Sequence, residues 1–202
     1  MRPRSDCAAF LDNWMKTRQA LLDGSAYFPA LEPSGDPRAQ VFASSPRQGN
    51  ESVRLMYMFS MGAARSSILL SNAYFMPDDA CLEMLEHAVA RGMRVEITLP
   101  GKRIAAPVTR WAARGLRGRL LKAGVGLWEY APAMYHCKVM IVDGLWVSVG
   151  SMNFDNRSFL LNEEANLNVL CPRFAARQTE VFEDDKRRSK AIMLEAWQNR
   201  PL

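Results

Sequence analysis

One stretch of this chain concentrates side chains that can act on a charged group: His136-Cys137-Lys138, then Asp143-Gly144, then Gly150-Ser151-Met152-Asn153. Written as a pattern it reads H-x-K-x4-D-x6-G-S-x-N. On a strand, side chains two residues apart leave the same face, so the His136 imidazole would stand beside the Lys138 ammonium. An imidazole there can attack, or carry a proton, next to a fixed positive charge. Ser151 and Asn153 repeat the spacing at the end of the next apolar run, and Gly150 admits another backbone at close range. Asp143-Gly144 is a strong hairpin signal, so the runs at 137–142 and 146–149 should pair and carry both polar pairs to one end of a sheet. An imidazole, an ammonium, a hydroxyl and an amide that converge there suit an anionic phosphate. Taken singly, each residue has an ordinary explanation: a satisfied polar side chain, a solvated lysine, routine turn chemistry. Their joint register is what argues for a site.

The flanking pattern says what must hold that site. Apolar periodicity predicts a short helix over 7–22, with Phe10, Leu11, Trp14 and Leu21-Leu22 as its apolar positions. Gly24, Pro29, Pro33, Gly35 and Pro37 then break regular structure, which places a linker before residue 39. Strands are expected at 40–43, 67–74, 95–99, 125–130, 137–142, 146–149 and 164–170. Helices are expected at 51–64, at 79–91 behind an Asp78 cap, at 107–123 and at 173–198. Strands alternating with helices imply an α/β layered fold with a sheet covered on both faces. The division is therefore a helix and linker over 1–38 and a catalytic unit over 39–202.

Bulk properties narrow the class. The 202 residues carry a net charge of +5, compatible with an anionic partner, and about half of them are hydrophobic, enough for an ordinary core. Cys7, Cys81, Cys137 and Cys171 form no paired motif, so free thiols are expected rather than a zinc site or a disulfide framework. No apolar run reaches the length of a membrane span, and the N-terminus lacks a signal-peptide core. Membrane contact would be peripheral. The helix at 107–123 interleaves Arg110, Arg114, Arg117, Arg119 and Lys122 with apolar residues. It either faces anionic headgroups or is a surface helix with a solvated basic side.

The H-x-K-x4-D-x6-G-S-x-N pattern resembles the signature of the phospholipase D superfamily, without departure. The wider chain resembles the second half of a bacterial cardiolipin synthase, through 71–78, Leu99-Pro100-Gly101-Lys102, 153–159, Leu161-Asn162-Glu163-Glu164 and Trp197-Gln198-Asn199. That resemblance implies a phospholipase D-like half-domain, a mixed sheet with helices on both faces, and phosphatidyl transfer through a phosphohistidine. His136, Lys138, Asp143 and Glu164 would form the catalytic set, with Asp143 anchoring the turn. Lys138, Ser151 and Asn153 would grip the phosphate. Glu164 would sit on the far nitrogen of His136, unless Glu163 takes that place. No cofactor and no metal are expected. The implied setting is the cytoplasmic side of a bacterial inner membrane, with an anionic phospholipid as substrate and nucleic acid unfavoured.

The superfamily's site needs two copies of the motif. The other histidine, His87, lacks the accompanying lysine and aspartate. A second half is therefore required, either a preceding half of a longer protein, which residues 8–30 favour, or a homodimer mate. The rival readings are a phospholipase D-like hydrolase, a homodimeric nuclease of the same superfamily, and an inactive remnant.

Overall fold

The computed structural model describes residues 5–30, 32, 35–45, 52–102 and 114–199. Residues 46–50, residues 107–113 of the helix expected at 107–123 (Arg110 among them) and residues 200–202 lie outside them. The elements are α1 (Ser5–Arg18), β1 (Arg38–Ser44), α2 (Ser52–Ala63), β2 (Ser67–Asn72), β3 (Phe75–Met76), α3 (Asp79–Ala90), β4 (Arg94–Pro100), α4 (Arg114–Ala123) and β5 (Gly126–Tyr130). They continue with β6 (Lys138–Val142), β7 (Trp146–Gly150), β8 (Phe154–Asp155), α5 (Asn156–Leu160), β9 (Glu164–Leu170), α6 (Pro172–Arg187), β10 (Ser189–Ala191) and α7 (Leu194–Gln198).

Eight strands form one mixed sheet in the order β1-β9-β7-β6-β2-β4-β5-β10. β2, β4 and β5 run parallel, and the remaining neighbours are antiparallel. β2 is buried along nearly its whole length, as the continuous apolar run Ile68-Leu69-Leu70 requires of a strand covered on both sides. The larger core lies against α2, α3 and α4, with Tyr57, Leu82, Leu85, Ile97, Leu120 and Met140 fully buried. Each such side chain contributes about 1.5–3 kcal/mol relative to its exposed state. The second, smaller core packs Leu69, Ile141, Val147, Ala175 and Phe182 under α6. Helices thus cover both faces, as the alternation of elements implies.

Boundaries differ from expectation in instructive places. The chain leaves α1 at Gln19 (φ 51°), so Leu21 and Leu22 fall outside the helix. β2 stops at Asn72, and Phe75–Met76 pairs separately and in parallel with Phe154–Asp155. The helix expected to run to 198 ends at Arg187. Ser189–Ala191 instead pairs antiparallel with β5, covering an edge that would otherwise present unpaired backbone groups. In the described part of the basic helix two of the charges are held by partners: Arg117 is buried and pairs with Glu129 at 2.6 Å, and Arg119 is bonded to Glu86 and Asp79, while Lys122 is exposed. All four cysteines are free. Among the described residues no helix is long and apolar enough to cross a membrane.

Candidate active site

β6 is an inner strand, paired with β2 on one side and β7 on the other. Its alternation sends Met140 and Val142 into the larger core and Ile141 toward α6. Lys138, at its first position, follows Met140 and Val142 in phase, and only 7% of it is exposed. Burial pushes its pKa below 10.5, against the opposing pull of Cys137, Glu164 and Asp155. His136 precedes the strand, with its side chain exposed. Lys138 Nζ lies 3.1 Å from His136 Nδ1 and 3.2 Å from Nε2, and donates to the His136 carbonyl at 3.0 Å. The ring of Tyr74 meets the imidazole edge to face, with centroids 6.2 Å apart. Tyr135, buried, donates from its hydroxyl to Asp185 of α6 at 3.1 Å. That anchor pulls residue 135 inward and leaves residue 136 facing out.

β7 and β9 supply the second wall. Any side chain at Gly150 would run into the backbone of Ala165 and Asn166, so only glycine lets the strands close here. Ser151 Oγ donates to Glu164 at 2.5 Å and accepts from Ala165 N–H at 3.0 Å. Glu164 is buried and also accepts from Asn162 Nδ2 at 3.2 Å. Asn153 Nδ2 donates to Ser158 Oγ at 3.3 Å, and its Oδ1 is buried without a partner among the described residues. Asn162 reaches the same hydroxyl at 3.4 Å, so a chain of polar contacts joins Asn153, Ser158, Asn162, Glu164 and Ser151. Sequence reasoning did not single out Ser158 or Asn162. Asp155-x-x-Ser158 could have signalled a helix cap, and Asp155 does accept from Ser158 N–H at 2.7 Å.

The structure therefore brings His136 and Lys138 together, and gathers Ser151, Asn153 and Glu164 into one connected polar group whose Glu164 acts on Lys138. It places two carboxylates elsewhere than at the imidazole. Glu164 bonds to Ser151 and Asn162 and not to the far nitrogen of His136, where the resemblance had set it. Glu163 points away, to Lys16 at 2.7 Å and Ser45 at 3.3 Å. Asp143 lies at the opposite end of β6. Its carboxylate accepts from the N–H groups of Arg65, Ser66 and Ser67 and from Ser66 Oγ, at 2.7–2.9 Å. Burial works against its ionisation, but those donors outweigh it and hold the pKa below 3.8. Asp143 and Gly144 both adopt positive φ, 55° and 60°, and Leu145 N–H closes the turn on Val142 at 3.0 Å. Among the described residues no group of three or more His, Cys, Asp or Glu could hold a metal ion.

A histidine and a buried lysine at the end of an inner strand of a mixed sheet, with G-S-x-N at the end of the neighbouring strand, are the arrangement that the phospholipase D resemblance leads one to expect. The chain belongs to the family described as "Cardiolipin synthase, PLD-like domain", whose model matches residues 58–186. It is 32% identical over 195 residues to Cardiolipin synthase 2 of Staphylococcus epidermidis, covering 96% of this chain and 40% of that protein. It is 34% identical over 195 residues to the cardiolipin synthase of Geobacillus sp. (strain WCH70), covering 96% of this chain and 39% of that protein. The chain thus spans about 40% of the length of the relatives it matches. Its fold is shared with Nuc of Salmonella typhimurium, a phospholipase D family member (TM-score 0.66, 22% identity, 78% of this chain and 99% of that one).

Proposed function

We propose that this chain contributes one half of a phosphatidyl-transferring active site of the cardiolipin synthase type. Residues 39–202 form the catalytic half, and residues 1–38 are the end of, and connection from, a preceding half. The observation that carries the reading is the contact between the buried Lys138 ammonium and the exposed His136 imidazole. It sits in a chain whose other histidine, His87, lies exposed on α3 without a matching lysine. In the reaction, one imidazole attacks phosphorus and the bond to the leaving alcohol breaks. The opposing half's imidazole gives that alcohol its proton. The incoming hydroxyl then returns a proton to that second imidazole as its oxygen displaces the phosphohistidine, giving the diester. Lys138 offsets charge on the non-bridging oxygens, Asn153 supplies a hydrogen bond to them from its second Nδ2 hydrogen, and Ser151 adds one when its hydroxyl turns from Glu164 to the phosphate. Glu164 holds Ser151 in place and adds its charge to the Lys138 environment. The substrate is an anionic phospholipid met at a membrane surface, with phosphatidylglycerol as acceptor.

The test joins this chain with a preceding half carrying its own motif, on phosphatidylglycerol vesicles, and follows products by mass spectrometry. Cardiolipin with release of glycerol is expected, together with an acid-labile phosphohistidine lost in His136→Ala. Phosphatidic acid as sole product would make the protein a hydrolase, and cleavage of nucleic acid alone would make it a nuclease. No phosphoryl turnover in the joined assembly would overturn the proposal.

A further inference from the structure

Residues 151–154 run from the end of β7 into β8 across the mouth of the site, and two buried asparagines hold them from opposite sides. Asn166 of β9, 1% exposed, accepts from Met152 N–H at 3.3 Å, while its Nδ2 donates to Tyr57 Oη at 2.8 Å and Ser148 Oγ at 2.9 Å. Asn72, at the end of β2 and fully buried, accepts on one Oδ1 from Phe154 N–H and from Tyr74 N–H, each at 3.1 Å. Two backbone donors on one oxygen fix the orientation of that amide, and its Nδ2 is left buried without a partner among the described residues. A buried donor left unpaired carries a cost that a purely structural position would be expected to shed. Met152 and Phe154 are themselves fully buried. The backbone is thus gripped at alternate residues, 152 and 154, and the residues between and before them, Asn153 and Ser151, are turned the other way.

We infer that Asn72 and Asn166 are positioning residues: a pair of amides that fixes segment 151–154 so that Ser151 and Asn153 meet the phosphate. Asn72 also fixes Tyr74, whose ring flanks His136. The inference rests on the phosphate reading of the His136 site. It explains the choice of residue at position 72. An apolar side chain would leave two backbone donors unpaired. A carboxylate would keep both bonds but place an anion across from Lys138, its cross-strand partner in the β2–β6 register. An amide satisfies the donors and leaves the ammonium free for the substrate.

Two measurements on the full chain test this. In the first, amide hydrogen exchange is read at Phe154, Tyr74 and Met152. Asn72→Ala should speed exchange at Phe154 and Tyr74, and Asn166→Ala at Met152, each with global stability accounted for. Unchanged exchange at those amides would overturn the clamp. In the second, inorganic phosphate binding is followed through the ring resonances of His136. Asn72→Ala should weaken it about tenfold, the scale of a small misplacement of binding groups. The effect should shrink to within about twofold in an Asn153→Ala background, because the two residues act through one another. Full additivity would overturn the positioning role. Where Asn72→Ala does not fold, Asn72→Asp decides: slow exchange with lost phosphate affinity is expected, and retained affinity counts against the assignment. If the unmutated chain bound no phosphate while its exchange pattern stood as described, the phosphate reading of the site would fall and the clamp's geometry would not.

Discussion

The two ends of β6 carry parts of one sequence motif and do opposite things for the molecule. At the first end Lys138 is a cation with little solvent, no carboxylate bonded to it among the described residues and a pKa pushed down by burial. Its three contacts are all with His136. At the other end Asp143 is an anion with four donors on it and a pKa held down by them. One charge is kept unsatisfied and the other is saturated. An unsatisfied buried charge costs stability and can serve chemistry, whereas a saturated one supports the fold and has no bonding capacity left for a substrate. Membership of a motif therefore does not make every member a substrate contact. The strand is the device that transmits the constraint, because Asp143 ties the start of β2 to the β6–β7 turn and so sets the register in which Lys138 and Asn72 face each other.

The sharpest way to break this contrast is at the imidazole. His136→Ala should lower turnover of the joined assembly by at least about 10³-fold, since it removes either the nucleophile or the proton carrier. Its side chain is exposed, so the stability of the chain should move by no more than about 0.5 kcal/mol. Turnover by mass spectrometry and a chemical denaturation curve measure the two quantities. Lys138→Met comes next, with a loss of about 10²–10³-fold expected for a group that offsets transition-state charge. Here the stability should be unchanged or raised by about 1 kcal/mol, because a buried charge is replaced by an apolar chain of similar length. The sign follows from the pKa. A lysine whose folded pKa lies below 10.5 binds its proton less tightly folded than unfolded, so the folded state is penalised at neutral pH. That penalty is relieved as the pH rises through the folded value. A marked destabilisation in Lys138→Met would undo the comparison from this side.

Asp143→Ala should behave as the mirror image. Removing the acceptor of three backbone N–H groups and a hydroxyl is expected to cost about 2–4 kcal/mol, read as a shift of the denaturation midpoint. Activity per folded molecule should fall far less than in Lys138→Met. The pH dependence has its own sign: a carboxyl held below 3.8 stabilises the fold fully above its unfolded value of about 3.9. That support is lost as the pH falls through the folded value. Asp143→Asn, which tolerates the positive φ, should therefore flatten the acid limb of the stability profile. An acid limb identical to that of the unmutated chain would show that the carboxylate's charge is not what holds β2.

Much of this is legible in the sequence. The spacing of His136 and Lys138, the Asp143-Gly144 turn and the closeness demanded at Gly150 are local properties, and strand periodicity and turn chemistry carry them directly. The central strands announced themselves as apolar runs. What stayed hidden depends on which strands become neighbours. Asn72 and Asn166 are far apart in sequence, and each looks like an ordinary polar residue near a strand end. Only the order β9-β7-β6-β2 sets them on either side of segment 151–154. The edge strand Ser189–Ala191 was hidden for the same reason, because a short polar run after a helix has no strand pattern of its own until β5 offers it a partner. The fate of charged residues was also hidden: Arg117 and Arg119 read as a basic face and proved to be held by Glu129, Glu86 and Asp79.

The smallest expected effects come from two adjacent glutamates that sequence alone could not rank. Glu163 immediately precedes β9 and Glu164 opens it, and their side chains take different partners. Glu163 reaches Lys16 of α1, a pair in which both side chains are about a third exposed. Glu164 is buried, holds Ser151 and Asn162, and lies near enough to Lys138 to oppose the lowering of its pKa. Glu164→Gln keeps the size and one acceptor but removes that charge. Lys138 should then titrate lower still, and turnover should fall about tenfold, less than for a group that touches the phosphate itself. The loss should appear in kcat rather than KM, because the charge acts through Lys138 as the transition state forms. Glu163→Gln removes an exposed ion pair remote from the imidazole, and turnover should change by less than about twofold. The pair of variants is measured side by side in the joined assembly, on the same vesicles. Equal losses would mean that the α1 contact shapes the site as strongly as the buried carboxylate does. A larger loss in Glu163→Gln would return the partner of His136 to Glu163, and would require the β9 strand end to rearrange when the second half is present.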